Sequence, residues 1–254
     1  MTPQPQTIPG EANLITPFEL RELRRVFEYL CLYADKKVIM DKLYPVEKRL
    51  ALLASPEMID EDQDEVGRER RELECDVEIL LAGLESIERR PDQRIRVEDV
   101  AATLRRLGVG KGKGEVAAMI WEVDEKLDGS IDWDEFTLNF QRNVHDRSGL
   151  EPAAFYNMIQ FMIYDCNNNG FVSIDETMKM LYARYGREVM EAKIGVLFGT
   201  AAKHEEGKEG GEIDFGRYKA AVEKTQMKMF SQSELGRSIE AKKQRKQDPN
   251  KKKK

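Results

Sequence analysis

The sequence predicts an all-α protein: four helix–loop–helix units between a helical N-terminal extension and a basic C-terminal tail. Three observations carry that prediction. Charged residues make up 35% of the 254-residue chain, and only 18 glycines and 9 prolines interrupt it. That balance suits solvated helices around a core and argues against an all-β sandwich. Apolar residues recur at helical spacing along most of the chain. Finally, from about residue 85 to 225 one pattern repeats: apolar helix, polar turn, short β-like segment, apolar helix. The central residues Ile95, Ile131, Val172 and Ile213 are separated by 36, 41 and 41 positions, a near-constant repeat.

In chain order, residues 1–15 are rich in Pro and Gln and form an irregular arm. The extension, residues 16–74, begins at Thr16-Pro17-Phe18-Glu19, where threonine caps, proline fits the first turn and glutamate closes a capping box. Leu20, Leu23, Phe27 and Leu30 follow at helical spacing. A second helix is expected from about Lys36 to Ala54, bent or interrupted at Pro45. A third starts at Ser55-Pro56-Glu57 and runs to about Ile87. Its stripe, Val66, Leu73, Val77, Leu80, Leu84 and Ile87, is a core-facing seam on a solvated helix, or a face for a neighbouring helix or partner. Two pairs of repeat units are assigned to residues 75–146 and 147–230, and the tail to 231–254.

The third repeat carries the chemistry. Its loop runs Asp165-Cys166-Asn167-Asn168-Asn169-Gly170-Phe171-Val172-Ser173-Ile174-Asp175-Glu176. Calcium takes six to eight oxygens at flexible distances. Asp165, Asn167 and Asn169 offer side-chain oxygens at positions 1, 3 and 5, and the Phe171 backbone carbonyl serves at position 7. Ser173 at position 9 binds through a water, and Glu176 at position 12 closes the shell with both carboxylate oxygens. Gly170 permits the left-handed turn. Phe155, Met158, Ile159 and Met162 mark the entering helix, and Met178 and Leu181 the exiting one.

On these residues the chain resembles the EF-hand family, the calmodulin-like calcium-binding proteins, over roughly residues 75–225. The resemblance implies paired hands whose loops join in two-stranded sheets, at Ile95 with Ile131 and at Val172 with Ile213. Only the third loop matches every ligand position. The second, Asp124 to Glu135, keeps Asp124, Asp128, Asp132, Glu135 and Gly129, but position 3 is Lys126. An ammonium repels calcium and can instead neutralise the loop carboxylates internally, so a hand that keeps its shape without metal is expected. The first loop, Glu88 to Asp99, has Arg90 at position 3 and Gln93 in place of glycine. The fourth ends on Arg217 and is about four residues too long in AAKHEEGKEGGE, counted from Phe198. Both are expected to be silent structural partners. With two carboxylates among its ligands, the third loop should bind calcium with affinity on the order of micromolar or weaker.

Several signals point elsewhere and are set aside. Gly108 to Gly114 lacks the spacing of a phosphate-binding loop and reads as the link between the first two units. His145 and His204 stand alone, no nucleophile–base–acid set is visible, and an enzyme is not expected. Cys31, Cys75 and Cys166 form no metal-ligand cluster and read as reduced thiols. No apolar run is long enough to span a membrane, and MTPQPQTIPG lacks the features of a signal peptide. Met158, Met162, Met178, Met180 and Met190 surround the third loop as core packing or as a target groove. Trp121 and Trp133 are expected in the core.

Charge is unevenly spread. Residues 235–254 carry nine Lys/Arg against Glu240 and Asp248, a net +7, which leaves −13 on residues 1–234 of a chain at −6. The tail has no aromatics for base stacking and no apolar face for insertion into a bilayer, so no specific nucleic acid is expected. An acidic polymer such as tubulin is the attractive electrostatic partner; a solvated tail without a partner and a nuclear-localisation signal remain alternatives. Degenerate hands and this tail resemble the cytoskeletal and ciliary, axonemal members of the family. The sequence therefore leads to the expectation of a protein-binding component of a microtubule-based assembly in the cytoplasm or cilium. A soluble sensor of a target enzyme or channel is the alternative.

Overall fold

The structure is a computed structural model that describes residues 15–55, 63–199, 211–233 and 235–239. Its described elements are almost entirely helical. They are, in order, α1 (Pro17–Leu30), α2 (Tyr33–Leu53), α3 (Gln63–Glu88), β1 (Ile95–Arg96), α4 (Val97–Arg106) and α5 (Lys113–Trp121). There follow β2 (Ser130–Ile131), α6 (Trp133–His145), α7 (Ala154–Tyr164), β3 (Phe171–Val172), α8 (Ile174–Phe198), β4 (Ile213–Asp214) and α9 (Phe215–Gln232).

Two short antiparallel sheets organise the helices. Ile95 sits opposite Ile131, and Val172 opposite Ile213. All four central residues are buried, so each sheet is a small apolar clasp between two helix–loop–helix units. α8 joins the second pair, kinked at Gly186, whose φ of 72° only glycine adopts without strain. One continuous core runs through both pairs. Phe136 and Phe140 from α6, Met158 and Ile159 from α7, and Phe215 and Tyr218 from α9 belong to it.

The extension completes that core. Thr16 caps α1 as its sequence requires: its Oγ1 accepts from Glu19 N at 3.2 Å, and Glu19 Oε2 accepts from Thr16 N at 2.9 Å. The spacing then turns Leu23, Val26, Phe27 and Leu30 to one face, where all four are buried. Burial of side chains of this size contributes roughly 1.5–3 kcal/mol each. Phe27 meets Trp133 and Phe136 edge-on at centroid distances of 5.3 and 5.2 Å. Two long-range polar contacts bind α1 to the helices either side of the third loop. Arg25 donates to Met162 O at 2.9 Å near the end of α7, and Arg184 of α8 forms a buried ion pair with Glu19.

Several expectations are corrected. α2 begins at Tyr33, three residues before the expected start, and runs unbroken through Pro45. Proline removes one helical hydrogen bond and pushes the chain outward; Pro45 and Tyr44 are exposed, so there is room for the ring. Leu32, in left-handed conformation at φ 57°, makes the sharp corner that starts α2 early. α3 is described from Gln63 to Glu88, and its expected start at Ser55-Pro56-Glu57 extends outside the described residues. α3 packs along α2, with Val66, Leu73, Val77, Leu80 and Leu84 half-buried and Ile87 buried; the stripe therefore serves the neighbouring helix. It passes without a break through residues 74 and 75. Trp121 is 71% exposed at the end of α5, because Val116, Met119 and Ile120 take the inward face there. Trp133 is half-buried under Arg24, whose guanidinium carbon lies 3.8 Å from the ring centroid. His204, the fourth loop's insertion, the N-terminal arm up to residue 14 and residues 240–254 of the tail lie outside the described residues.

Candidate metal centre

The third loop is held between the end of α7 and the first turn of α8. Asp165, at position 1, is buried and accepts from Asn169 N and Gly170 N, both at 3.0 Å. Burial pushes its carboxyl above the usual range, against the pull of the Gly170 amide and the positive charge of Arg106. Asn167 Oδ1 accepts from Asn169 N at 2.9 Å, and Asn169 Oδ1 from Phe171 N at 2.8 Å. These side chains thus brace successive turns of the loop while their oxygens keep further lone pairs. The chain turns back through Asn168 and Gly170, at φ 56° and 85°. Ser173 caps α8: its Oγ donates to Glu176 Oε2 at 2.9 Å, and its backbone N donates to the same oxygen at 3.0 Å. Both bonds of Glu176 therefore fall on Oε2.

The six residues expected to ligate calcium, Asp165, Asn167, Asn169, Phe171, Ser173 and Glu176, lie on this one turn. They fit a hard divalent cation by donor type: carboxylate, amide, hydroxyl and backbone carbonyl oxygens. Phe171 contributes only its carbonyl, and its ring is exposed.

The other loops use their carboxylates differently. In the second, Glu135 has both oxygens engaged: Oε1 accepts from Lys126 N at 2.9 Å and Oε2 from Asp132 N at 3.0 Å. Lys126 Nζ pairs with Asp132, and Arg94 from the first loop pairs with Asp128. Burial would raise the Asp132 carboxyl, but the Lys126 ammonium and the amides of Glu135 and Asp134 outweigh it and hold it below its usual range. The internal neutralisation expected of Lys126 is thus the observed arrangement. In the first loop, Asp99 at position 12 is buried and accepts from Ala34 N at 2.7 Å and Arg96 N at 2.9 Å. It caps α2, whose own N-cap residue, Leu32, offers no side-chain hydrogen bond. In the fourth, Asp214 caps α9 through Arg217 N at 2.8 Å. Among the described residues no three His, Cys, Asp or Glu side chains gather as a metal cluster. The four carboxylates at ligand positions of the second loop are accordingly dispersed, and the third loop has two at such positions.

Four of the five methionines around the third loop, Met158, Met162, Met180 and Met190, are buried, and Met178 is 38% exposed. Core packing accounts for the four. A cavity of about 250 Å³ lies between α7, α8 and α9, lined in part by Tyr156, Met180, Leu181, Tyr185 and Met229. No local pattern marks Arg106 in α4 as part of this site. Its NH1 donates to Asn168 O in the third loop at 3.1 Å, and 62 residues separate the two.

Two helix–loop–helix units clasped by a short antiparallel sheet, the second with a twelve-residue acidic loop, have the arrangement of an EF-hand pair. Residues 91–142, the first pair, match the family model of an EF-hand domain pair. The chain is 28% identical over 134 residues to calmodulin-like protein 6 of Oryza sativa subsp. japonica, covering 53% of this chain and 75% of that protein. It is 27% identical over 158 residues to calcium-binding protein CML17 of the same organism, covering 57% and 92% respectively. The first pair thus matches an EF-hand domain pair, both relatives carry the names of calmodulin-like or calcium-binding proteins, and calcium is the ion these similarities indicate. No helix among the described residues is long and apolar enough to cross a membrane.

Proposed function

We propose that the chain binds a single calcium ion, in the third loop, and works as a structural and regulatory component held by other proteins. The observation that carries this is the contrast in how the closing glutamates are used. Glu135 is tied into its own loop through both oxygens, whereas the bonds of Glu176 fall on one. Asp165, Asn167, Asn169, Phe171, Ser173 and Glu176 are the proposed ligands. Paired units on residues 75–146 and 147–230, one of them competent and the rest serving the fold, complete the reading.

A structural role is supported by α1. Leu23, Val26, Phe27 and Leu30 already cover apolar surface between α4, α6 and α7, the kind of surface that a switching protein exposes to a target. Apolar side chains stand exposed elsewhere, Val38, Tyr44 and Leu52 on α2 and Ile79 and Leu81 on α3, which suits a protein partner. The sensor alternative has the cavity beside Met180 in its favour. At about 250 Å³, however, it is below the ~300–1,000 Å³ of ordinary ligand pockets. Calcium should therefore change the fluorescence of an apolar-surface dye little, and a several-fold rise would favour the sensor.

Attachment to a microtubule-based, axonemal assembly is the finer part of the proposal, and it rests on the +7 segment 235–254 facing an acidic polymer. Co-sedimentation with microtubules should fall sharply when residues 235–254 are removed and persist when calcium is chelated. Equal pelleting with and without the segment would remove this part of the reading.

A further inference from the structure

We propose that Arg106 is an affinity-setting residue for the third loop, a fixed positive charge from the first pair that holds calcium affinity down. The inference rests on the third loop as the calcium site and concerns how that site is tuned.

Arg106 stands at the end of α4, and its guanidinium reaches across to the second pair. NH1 lies 3.1 Å from the carbonyl of Asn168, position 4 of the loop, between the ligand positions Asn167 and Asn169. On its other side the guanidinium carbon is 5.4 Å from the centroid of Tyr29 in α1. Nε and NH2 are buried without hydrogen-bond partners, and among the described residues no carboxylate pairs with Arg106. The charge is thus held in place, poorly solvated, and not neutralised by an ion pair. In such surroundings Coulomb interactions reach further than at an open surface.

Two effects of opposite sign follow. The bond to Asn168 O steadies the loop, which favours any ligand that needs its shape. The charge repels a divalent cation arriving at the adjacent oxygens, which disfavours it. The loop's shape has other supports: Asn167 and Asn169 brace it through their own hydrogen bonds, and asparagine tolerates the left-handed φ of position 4. The repulsion is weakly offset, because among the proposed ligands only Asp165 and Glu176 are carboxylates. The net effect of Arg106 is therefore to weaken binding.

The test is chelator competition on the intact chain, comparing wild type with Arg106→Gln, Arg106→Met and Arg106→Lys for calcium and for terbium(III). Removing the charge with Gln or Met should tighten calcium binding about threefold to tenfold, and the trivalent ion should gain more than the divalent one. Lys keeps the charge and should bind much as wild type does. Met keeps the apolar stem against Tyr29, so it preserves the test if Gln does not fold. Unchanged or weaker calcium binding in a folded Gln or Met variant would overturn the proposal. So would a gain equal for both ions, which would show a change of shape and not of charge. No calcium binding by wild type would instead remove the underlying site assignment.

Discussion

The second loop and the third turn at the same places. Position 4 is left-handed in both, at Leu127 with φ 58° and Asn168 with φ 56°, and position 6 is glycine at φ 81° and 85°. Position 1 also does the same work: Asp124 accepts from Asp128 N and Gly129 N, as Asp165 does from Asn169 N and Gly170 N. The loops part at positions 3, 9 and 12. There Lys126 takes Asp132 by its ammonium and Glu135 by its backbone N–H, while Asn167 and Ser173 leave Glu176 less encumbered. A loop's shape thus belongs to the backbone and its two helices, and its readiness for an ion depends on what already occupies its carboxylates. The first loop goes further: Asp99, at its closing position, caps a helix of the extension, α2.

The comparison can be broken in four ways, from the largest effect down. Glu176→Gln should weaken calcium binding at the third loop by on the order of 100-fold or more, since even outer-sphere changes at metal sites cost about 10–100-fold. The same change at Glu135 should leave calcium binding as it was; chelator competition reads both. Lys126→Asp frees Asp132 and adds an oxygen donor at position 3, so a second binding event should appear in titration. If none does, the loop is closed by more than its lysine. Gly129→Ala and Gly170→Ala should each cost about 1–2 kcal/mol in denaturant unfolding without calcium, because both glycines hold positive φ with open space around them. Only the change at Gly170 should also weaken calcium binding. Leu127→Asn should stabilise the chain by about 0.5–1 kcal/mol by easing a left-handed leucine, and Asn168→Leu should cost a similar amount.

Much of this was legible locally. The Thr16–Glu19 capping box, the buried face of α1 and the pairing of Ile95 with Ile131 and Val172 with Ile213 follow from spacings of a few residues or from the repeat. So does the Lys126–Asp132 pair, which lies within one loop. What could not be read depends on tertiary approach. Arg106 meets Asn168, Arg184 meets Glu19 and Asp99 caps α2 across long stretches of chain, and no local pattern marks such pairs. Trp121 departs from the average preference of its residue type because Val116, Met119 and Ile120 take the inward face of α5.

The central claim is that one loop of the chain takes calcium and the others serve the fold. Isothermal calcium titration of the intact chain and of Glu176→Gln tests it most directly. The account predicts one site per chain in the first and none of comparable affinity in the second. Two or more sites in the intact chain, or one surviving undiminished in Glu176→Gln, would contradict it.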